Sequence, residues 1–212
     1  MRGCLGLKVD RNGWLVVPMQ RGPKLVSVQR ISPDGQKLFW KDAPTKGATY
    51  LVNRPTASLT VVCEGLATAL AIYAAVQTSR IIVAFTAGNL SRVTVPVGLA
   101  VIAADNDRAT EGRTGVNPGV DGARTAAESC GAGVAIPDCR DDETDWCDVR
   151  NRMLRERLAA KQLHEREGSI RRAVDAELNR EITRQARFVS DESLARTRER
   201  GLEDNNRLTE RR

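Results

Sequence analysis

Residues 59–75 read LTVVCEGLATALAIYAA. Leu59 to Cys63 form a near-unbroken apolar run that ends on Glu64 and Gly65, and the chain then continues as Ala- and Leu-rich sequence with helical spacing. An apolar strand leading through a glycine into a helix is the start of a parallel, doubly covered βα unit. A carboxylate at the end of a buried strand has lost part of its hydration and needs a compensating partner. What Glu64 faces is therefore the functional question.

The same grammar repeats downstream. RIIVAF (80–85) reads as a second strand ending in the loop TAGNL, GLAVIAAD (98–105) as a third, and AGVAIPD (132–138) as a fourth. GLATALAIYAAVQ is a helix with Leu66, Leu70 and Tyr73 on one side, and GVDGARTAAESCG is a second helix. GRTGVNPGVDGAR supplies a glycine-rich loop ahead of it. Upstream, WLVVPMQ and KLVSVQRIS alternate like strands about an RGP turn, SPDGQ turns the chain into KLFW, and KDAPTKGATYLV leads into another short strand. These segments predict a basic antiparallel β-meander over 1–57 and an α/β domain with a parallel sheet flanked by helices over 58–150. A charged helical tail, ordered only in part, is expected over 151–212. Residues 146–189 read as helical: Trp146, Val149, Met153 and Leu154 share a stripe, Gly168-Ser169 breaks the helix, and Ile170, Val174, Leu178 and Ile182 follow at four-residue intervals. Beyond Ser190 the apolar residues are too sparse to pack.

Composition narrows the chemistry. The chain has 212 residues, five cysteines without a CxxC pair and one histidine, His164, in the charged tail. A structural zinc site and His-based catalysis are both disfavoured. No apolar run reaches the ~20 residues of a membrane span, and the N-terminus lacks a signal-peptide pattern, so a cytoplasmic protein without a membrane partner is expected. Charge is unevenly spread. Residues 1–60 carry ten Lys/Arg against three Asp/Glu, residues 61–148 six against twelve, and residues 149–212 seventeen against twelve. An acidic middle between basic flanks suits a cation site beside a polyanion track; three solvated surfaces account for the charges alone equally well.

Ligands of open α/β sheets sit beyond the carboxyl ends of the strands. Two such ends carry acid here, Glu64 and the pair Asp105 and Asp107 in VIAADND. If the strands are neighbours, three carboxylates converge and raise one another's pKa unless a cation neutralises them. All-oxygen ligands suit Mg²⁺ or Mn²⁺. A further cluster, PDCRDDETDWCDV, places Asp145 and Asp148 where a loop enters a helix, and helix capping explains Asp145 as well as metal support does. A P-loop ATPase is excluded because no GxxxxGK[ST] occurs. A phosphoacceptor receiver is disfavoured because the acidic pair follows the third strand and no lysine lies between Lys46 and Lys161.

VVCEG followed about forty residues later by AADND resembles the Toprim domain, the catalytic fold of bacterial-type primases, type IA and type II topoisomerases and certain nucleases. The pattern LVVPM, LVSVQRISPDGQKLF, KGATY, VVCEGLATALAI, VAFTAGNL, VIAADND and TDWCDV resembles most the Toprim segment of plasmid- and phage-encoded primases, over about residues 13–150. The resemblance implies that Glu64 acts as acid/base or metal ligand, that Asp105 and Asp107 are the metal pair, and that Asp145 and Asp148 are the acids after the fourth strand. Two features depart from it. Thr68 stands where housekeeping primases often carry a further acid, and no cysteines are arranged for the zinc-binding module such primases usually have.

The implied function is template-directed RNA primer synthesis by metal-dependent nucleotidyl transfer in the replication of a plasmid, phage or other mobile element. Single-stranded DNA and nucleoside triphosphates would be its partners, and a replicative helicase or a separately supplied zinc-binding or helicase domain would complete it. Lys24, Arg30, Lys37, Lys41 and Lys46 of the meander would hold template phosphates, with Trp40 or Tyr50 stacking on a base. Lys46 in TKGATY is the leading phosphate ligand. Asn89 would bind sugar or phosphate or cap a turn, and Arg124 would assist at the helix after the glycine-rich loop. A Toprim nuclease and a catalytically silent nucleic-acid-binding accessory protein are the rival functions; a topoisomerase is disfavoured because Tyr50 and Tyr73 are the only tyrosines.

Overall fold

A computed structural model describes residues 6–54, 56–140, 142–160 and 171–185. Its first sheet is the expected meander, with β1 (Lys8–Val9), β2 (Leu15–Arg21), β3 (Lys24–Ile31) and β4 (Lys37–Phe39) antiparallel in sequence order. Arg21 pairs with Lys24 across a two-residue Gly22–Pro23 turn. Gly22 takes φ +58 there, a conformation that suits a residue without a β-carbon. The register slips between Met19 and Gln20. Just past that irregularity Gln20 exchanges two 2.8 Å backbone hydrogen bonds with Thr49. That bridge joins the meander to the second sheet.

The second sheet has the order β5 (Tyr50–Val52), β7 (Ser79–Val83), β6 (Leu59–Cys63), β8 (Ala100–Ala103), β9 (Gly133–Ala135). All pairings are parallel except β5 against β7. The short strand at 50–52, expected within the meander, thus belongs to the α/β sheet. Tyr50 and Val52 are buried while Leu51 is exposed. This alternation lets an edge strand bury one face on the larger core.

β6 is buried along its whole length, and its pleat divides the core into two layers. Val61 and Cys63 pack with α1 (Leu66–Ala75), Trp146, Leu178 and Ile182 on one side. Val62 packs with Ile102, Leu90, Val120, Ala123 and Ala127 on the other. The second layer carries α2 (Ala87–Leu90) and α4 (Pro118–Cys130), and the first carries α5 (Trp146–Ala160) and a helix over 171–185, here α6. The expected tail stripe is present: Trp146, Val149 and Leu154 are buried, as are Val174, Leu178 and Ile182. α5 runs across residue 150, so helix and core are continuous there. Ile170, Gly168-Ser169, His164 and everything beyond residue 185 lie outside the described residues.

Two helices differ from expectation. The buried face of α1 is Leu66, Ala69, Ile72 and Ala75, with Leu70 and Tyr73 only partly covered. Its sequence is apolar nearly all round, so spacing alone does not select a face. The glycine-rich stretch after Asp107 contains a two-turn helix, α3 (Arg108–Thr114), which ends on Gly115 at φ +74. None of its residues is buried, so no apolar stripe announces it. α4 follows with a clear start and stop: Asn117 accepts the Val120 N–H, Pro118 occupies the first turn, and Gly131 closes the helix at φ +67.

Candidate active site

The parallel pairing of β6 with β8 sets Cys63 opposite Ala103. Glu64 lies one residue beyond the first, and Asp105 two residues beyond the second. The two acid-bearing strand ends are therefore side by side on one sheet edge, as the site reading requires. Glu64 is held from both directions. Its carbonyl accepts the Phe85 N–H at 2.8 Å, and its carboxylate accepts the Ala87 N–H at the start of α2. Phe85 makes this turn at φ +71, although it is buried and not glycine. Such a conformation costs ~1–3 kcal/mol and persists where the surroundings demand it.

Among the described residues Asp105 is the most perturbed carboxyl group. Burial pushes its pKa from 3.8 up to about 8, and the nearby charges of Glu64, Asp145 and Asp107 act in the same direction. Its Oδ1 is buried with no hydrogen-bond partner. Glu64 is also raised above its ordinary 4.5, first by burial and then by Asp107, with Lys37 opposing. Asp107 sits at the N-cap position of α3 but does not cap that helix with its side chain. Its Oδ2 accepts the Gly119 N–H of α4 at 3.0 Å, and its own N–H donates to Asn117 Oδ1 at 3.0 Å. Asn117 in turn donates to Asn106 Oδ1 at 2.9 Å and Glu111 Oε2 at 3.0 Å. This amide clamp gave no sign in the sequence beyond the Asn-Pro helix start.

Asp145 and Asp148 both serve the entry of α5. Asp145 Oδ1 accepts the N–H groups of Cys147 at 2.7 Å and Asp148 at 3.0 Å. Its Oδ2 accepts the Thr68 hydroxyl at 2.9 Å. Asp148 Oδ2 turns back to the Thr144 N–H at 3.0 Å. Asp145 still reaches Asp105 electrostatically, whereas Asp148 is not among the charges that shift it.

The basic residues separate by place. Lys37, on the edge strand β4, brings Nζ to within 3.6 Å of where a β-carbon on Gly65 would sit. It is the cation that opposes the raised pKa of Glu64 and Asp105. Lys46 lies on a cleft of about 190 Å³ with Phe39, Thr86, Asn89 and Arg92, and its carbonyl accepts from the Arg21 guanidinium. Asn89 is fully spent on structure: Oδ1 accepts the Gly47 N–H at 2.7 Å, and Nδ2 donates to Ala48 and Ala84 carbonyls at 2.9 and 2.8 Å. It fastens the Lys46 loop to β7 and leaves no amide group spare for a sugar or phosphate. Arg30 is bound to Asp10 at 2.5 Å and stacked on Trp14. Arg124 lines a separate hollow with Asn106, Glu111 and Asp121. Lys41 and Trp40 are exposed on the meander.

Among the described residues no group of three or more Asp, Glu, His or Cys side chains stands ready to enclose a metal ion. The donor set nevertheless fits a hard divalent cation. It consists of carboxylates alone, it includes a buried oxygen with no partner, and Asp105 gives up its proton only near pH 8 until a cation replaces it. Zinc is a poorer match, since the thiols of Cys63 and Cys139 are buried with raised pKa values. Among the described residues no helix is long and apolar enough to cross a membrane.

Residues 59–156 match the family model of the Toprim domain. Two curated Escherichia coli proteins, each called DNA primase TraC, are similar at 34% identity over 121 residues and 31% over 144. The alignments cover 52% and 62% of this chain but 11% and 10% of the relatives, so the chain spans about a tenth of their length. A solved complex of bacteriophage T7 lagging-strand DNA polymerase with the primase domains of two gp4 subunits, an RNA/DNA hybrid and dTTP is similar at 15% identity with a TM-score of 0.41. It covers 68% of this chain and 75% of that one. Through residues 59–156, with Glu64 and Asp105–Asp107 at adjacent strand ends, the chain is similar to the Toprim domain.

Proposed function

We propose that this chain carries the nucleotidyl-transfer centre of a primase, making RNA primers on single-stranded DNA from nucleoside triphosphates during replication of a plasmid, phage or other mobile element. The carrying observation is the meeting of opposite charges at one sheet edge. Glu64 and Asp105 come from the α/β sheet, and Lys37 comes to them from the basic meander. Primase-named relatives support the same reading.

Asp105, Asp107 and Glu64 would hold Mg²⁺ or Mn²⁺, with Asp145 supporting Asp105 from the α5 cap. A cation there would lower the pKa of the primer 3′-hydroxyl and neutralise the departing pyrophosphate. Glu64, whose pKa burial raises above its ordinary value, would complete the coordination or accept the hydroxyl proton. Lys37 faces the acids and offers its ammonium group to the triphosphate of the incoming nucleotide. Lys46 and Arg92 border the neighbouring cleft and extend the same positive edge along the template phosphates. Trp40, 65% exposed beside Phe39, offers a stacking face for an unpaired base.

The test is incubation of the protein with labelled single-stranded DNA, all nucleoside triphosphates and Mg²⁺ or Mn²⁺, with synthesis and cleavage scored together. New oligonucleotides from the wild type, absent from Glu64→Gln and Asp105→Asn, are expected. Metal-dependent shortening of the DNA without synthesis would make the same carboxylates a nuclease. Silence in both channels would contradict autonomous catalysis.

A further inference from the structure

Helix α4 touches both acid-bearing arms of the site through two glycines. A β-carbon on Gly119 would lie 2.4 Å from the Asp105 carbonyl oxygen, 2.9 Å from its carbonyl carbon and 3.1 Å from Asp107 Oδ2. The first two distances are to backbone and cannot be relieved by a side-chain rotation. The contact is reinforced by the Gly119 N–H on Asp107 Oδ2 and by Asn117 Oδ1 on the Asp107 N–H. One helical turn on, a β-carbon on Gly122 would meet the Cβ and carbonyl oxygen of Ala87, each at 3.4 Å. Ala87 is the residue whose N–H holds the Glu64 carboxylate. Positions three apart lie on one helix face. Neither glycine has a positive φ, and closeness of approach accounts for Gly119.

We infer that the Gly119–Gly122 face of α4 fixes the spacing between the Asp105–Asp107 arm and the Glu64 arm, and that this spacing sets the affinity of the site for a divalent cation. The inference rests on the proposed metal-binding role of those carboxylates. Both glycines are positioning residues, acting through the backbone of Asp105 and of Ala87. Adding a methyl group at 119 pushes the Asp105 carbonyl away from the helix. Adding one at 122 sets it 3.4 Å from Ala87, the near limit of ordinary contact, so it perturbs the turn that presents the Ala87 N–H far less. Neither change alters any ligand.

The experiment is titration of the purified chain with Mn²⁺, read from the loss of the free-ion electron paramagnetic resonance signal. Wild type, Gly119→Ala, Gly122→Ala and Gly112→Ala are compared. Gly112 lies in α3, and a β-carbon there meets nothing within 4 Å, so its substitution controls for a helical glycine-to-alanine change. Circular dichroism and melting of the metal-free proteins are recorded alongside, because a purely structural role lowers melting and leaves the affinity of the folded protein unchanged. The expected result is affinity weakened about tenfold or more in Gly119→Ala, the size of loss usual for groups that support metal ligands. Gly122→Ala should show a smaller loss and Gly112→Ala none. If Gly119→Ala does not fold, Gly122→Ala carries the comparison. Folded glycine variants that bind Mn²⁺ like wild type would overturn the inference and leave the metal site standing. A wild type that binds no Mn²⁺ would overturn the metal site and the inference together.

Discussion

The Thr68 hydroxyl donates a 2.9 Å hydrogen bond to Asp145 Oδ2 across 77 residues of chain. It ties the first helix of the α/β domain to the start of α5. Thr68 is fully buried. A hydroxyl there adds no charge to an edge already holding Glu64, Asp105 and Asp107, and it satisfies one oxygen of Asp145. Thr68→Val keeps the shape and removes the donor, leaving a partly buried carboxylate oxygen without a partner. A loss of ~1–3 kcal/mol in unfolding free energy is expected by denaturant titration, with Thr68→Ser retaining most of the stability.

Asp105 makes the metal-free protein sensitive to alkaline pH. Its folded pKa, about 8, lies above the ordinary 3.8, so the folded state binds this proton more tightly than the unfolded state does. The associated stability is complete below about pH 4 and is lost as pH rises toward 8. Melting temperature in EDTA should therefore fall between pH 5 and 8, and Asp105→Asn should flatten that slope. Divalent-cation affinity should rise over the same interval and level off above pH 8, because the cation must displace the proton. A flat melting profile for the wild type would contradict this.

Lys37 opposes the raised pKa values of Glu64 and Asp105. Lys37→Met keeps the aliphatic stem and removes the charge. Both carboxyl groups should then titrate at still higher pH, and nucleoside triphosphate affinity should weaken by about tenfold, the worth of roughly 1.4 kcal/mol. Nucleotide-binding titrations at pH 7 and 9 read both effects.

Asn89 separates loop placement from metal chemistry. Its three hydrogen bonds hold Gly47 and Ala48 against Ala84. Asn89→Ala leaves buried backbone groups unpaired and should cost about 1–3 kcal/mol. The Lys46 loop should loosen, weakening DNA binding while Mn²⁺ affinity stays at the wild-type value. Hydrogen exchange at Gly47 and a filter-binding assay check the two halves.

Much of this site is legible in the sequence, for a definite reason. Continuous apolar runs that stop on Glu64 and on Ala104-Asp105 announce buried parallel strands and the acids at their ends together. Their adjacency, β6 beside β8, could only be assumed, because strand order is a tertiary choice. Tyr50–Val52 reads as part of the meander because a three-residue strand does not reveal which sheet it will join. α3 carries no apolar face, so its residues read as a loop. Lys37 stood in the sequence as one basic residue among several, and only the fold brings it to Gly65. Asn89 and Asn117 look alike as polar residues near turns, yet both act as amide clamps whose partners are distant or backbone atoms.

The most direct measurement of the central claim is anomalous diffraction at the manganese edge from crystals soaked in Mn²⁺ and a nucleoside triphosphate. A peak within bonding distance of Asp105 and Glu64 oxygens, with the triphosphate beside Lys37, is the expected result. Manganese bound elsewhere, or an edge occupied by the Lys37 ammonium with no ion in the map, would contradict a metal-dependent nucleotidyl-transfer centre at these strand ends.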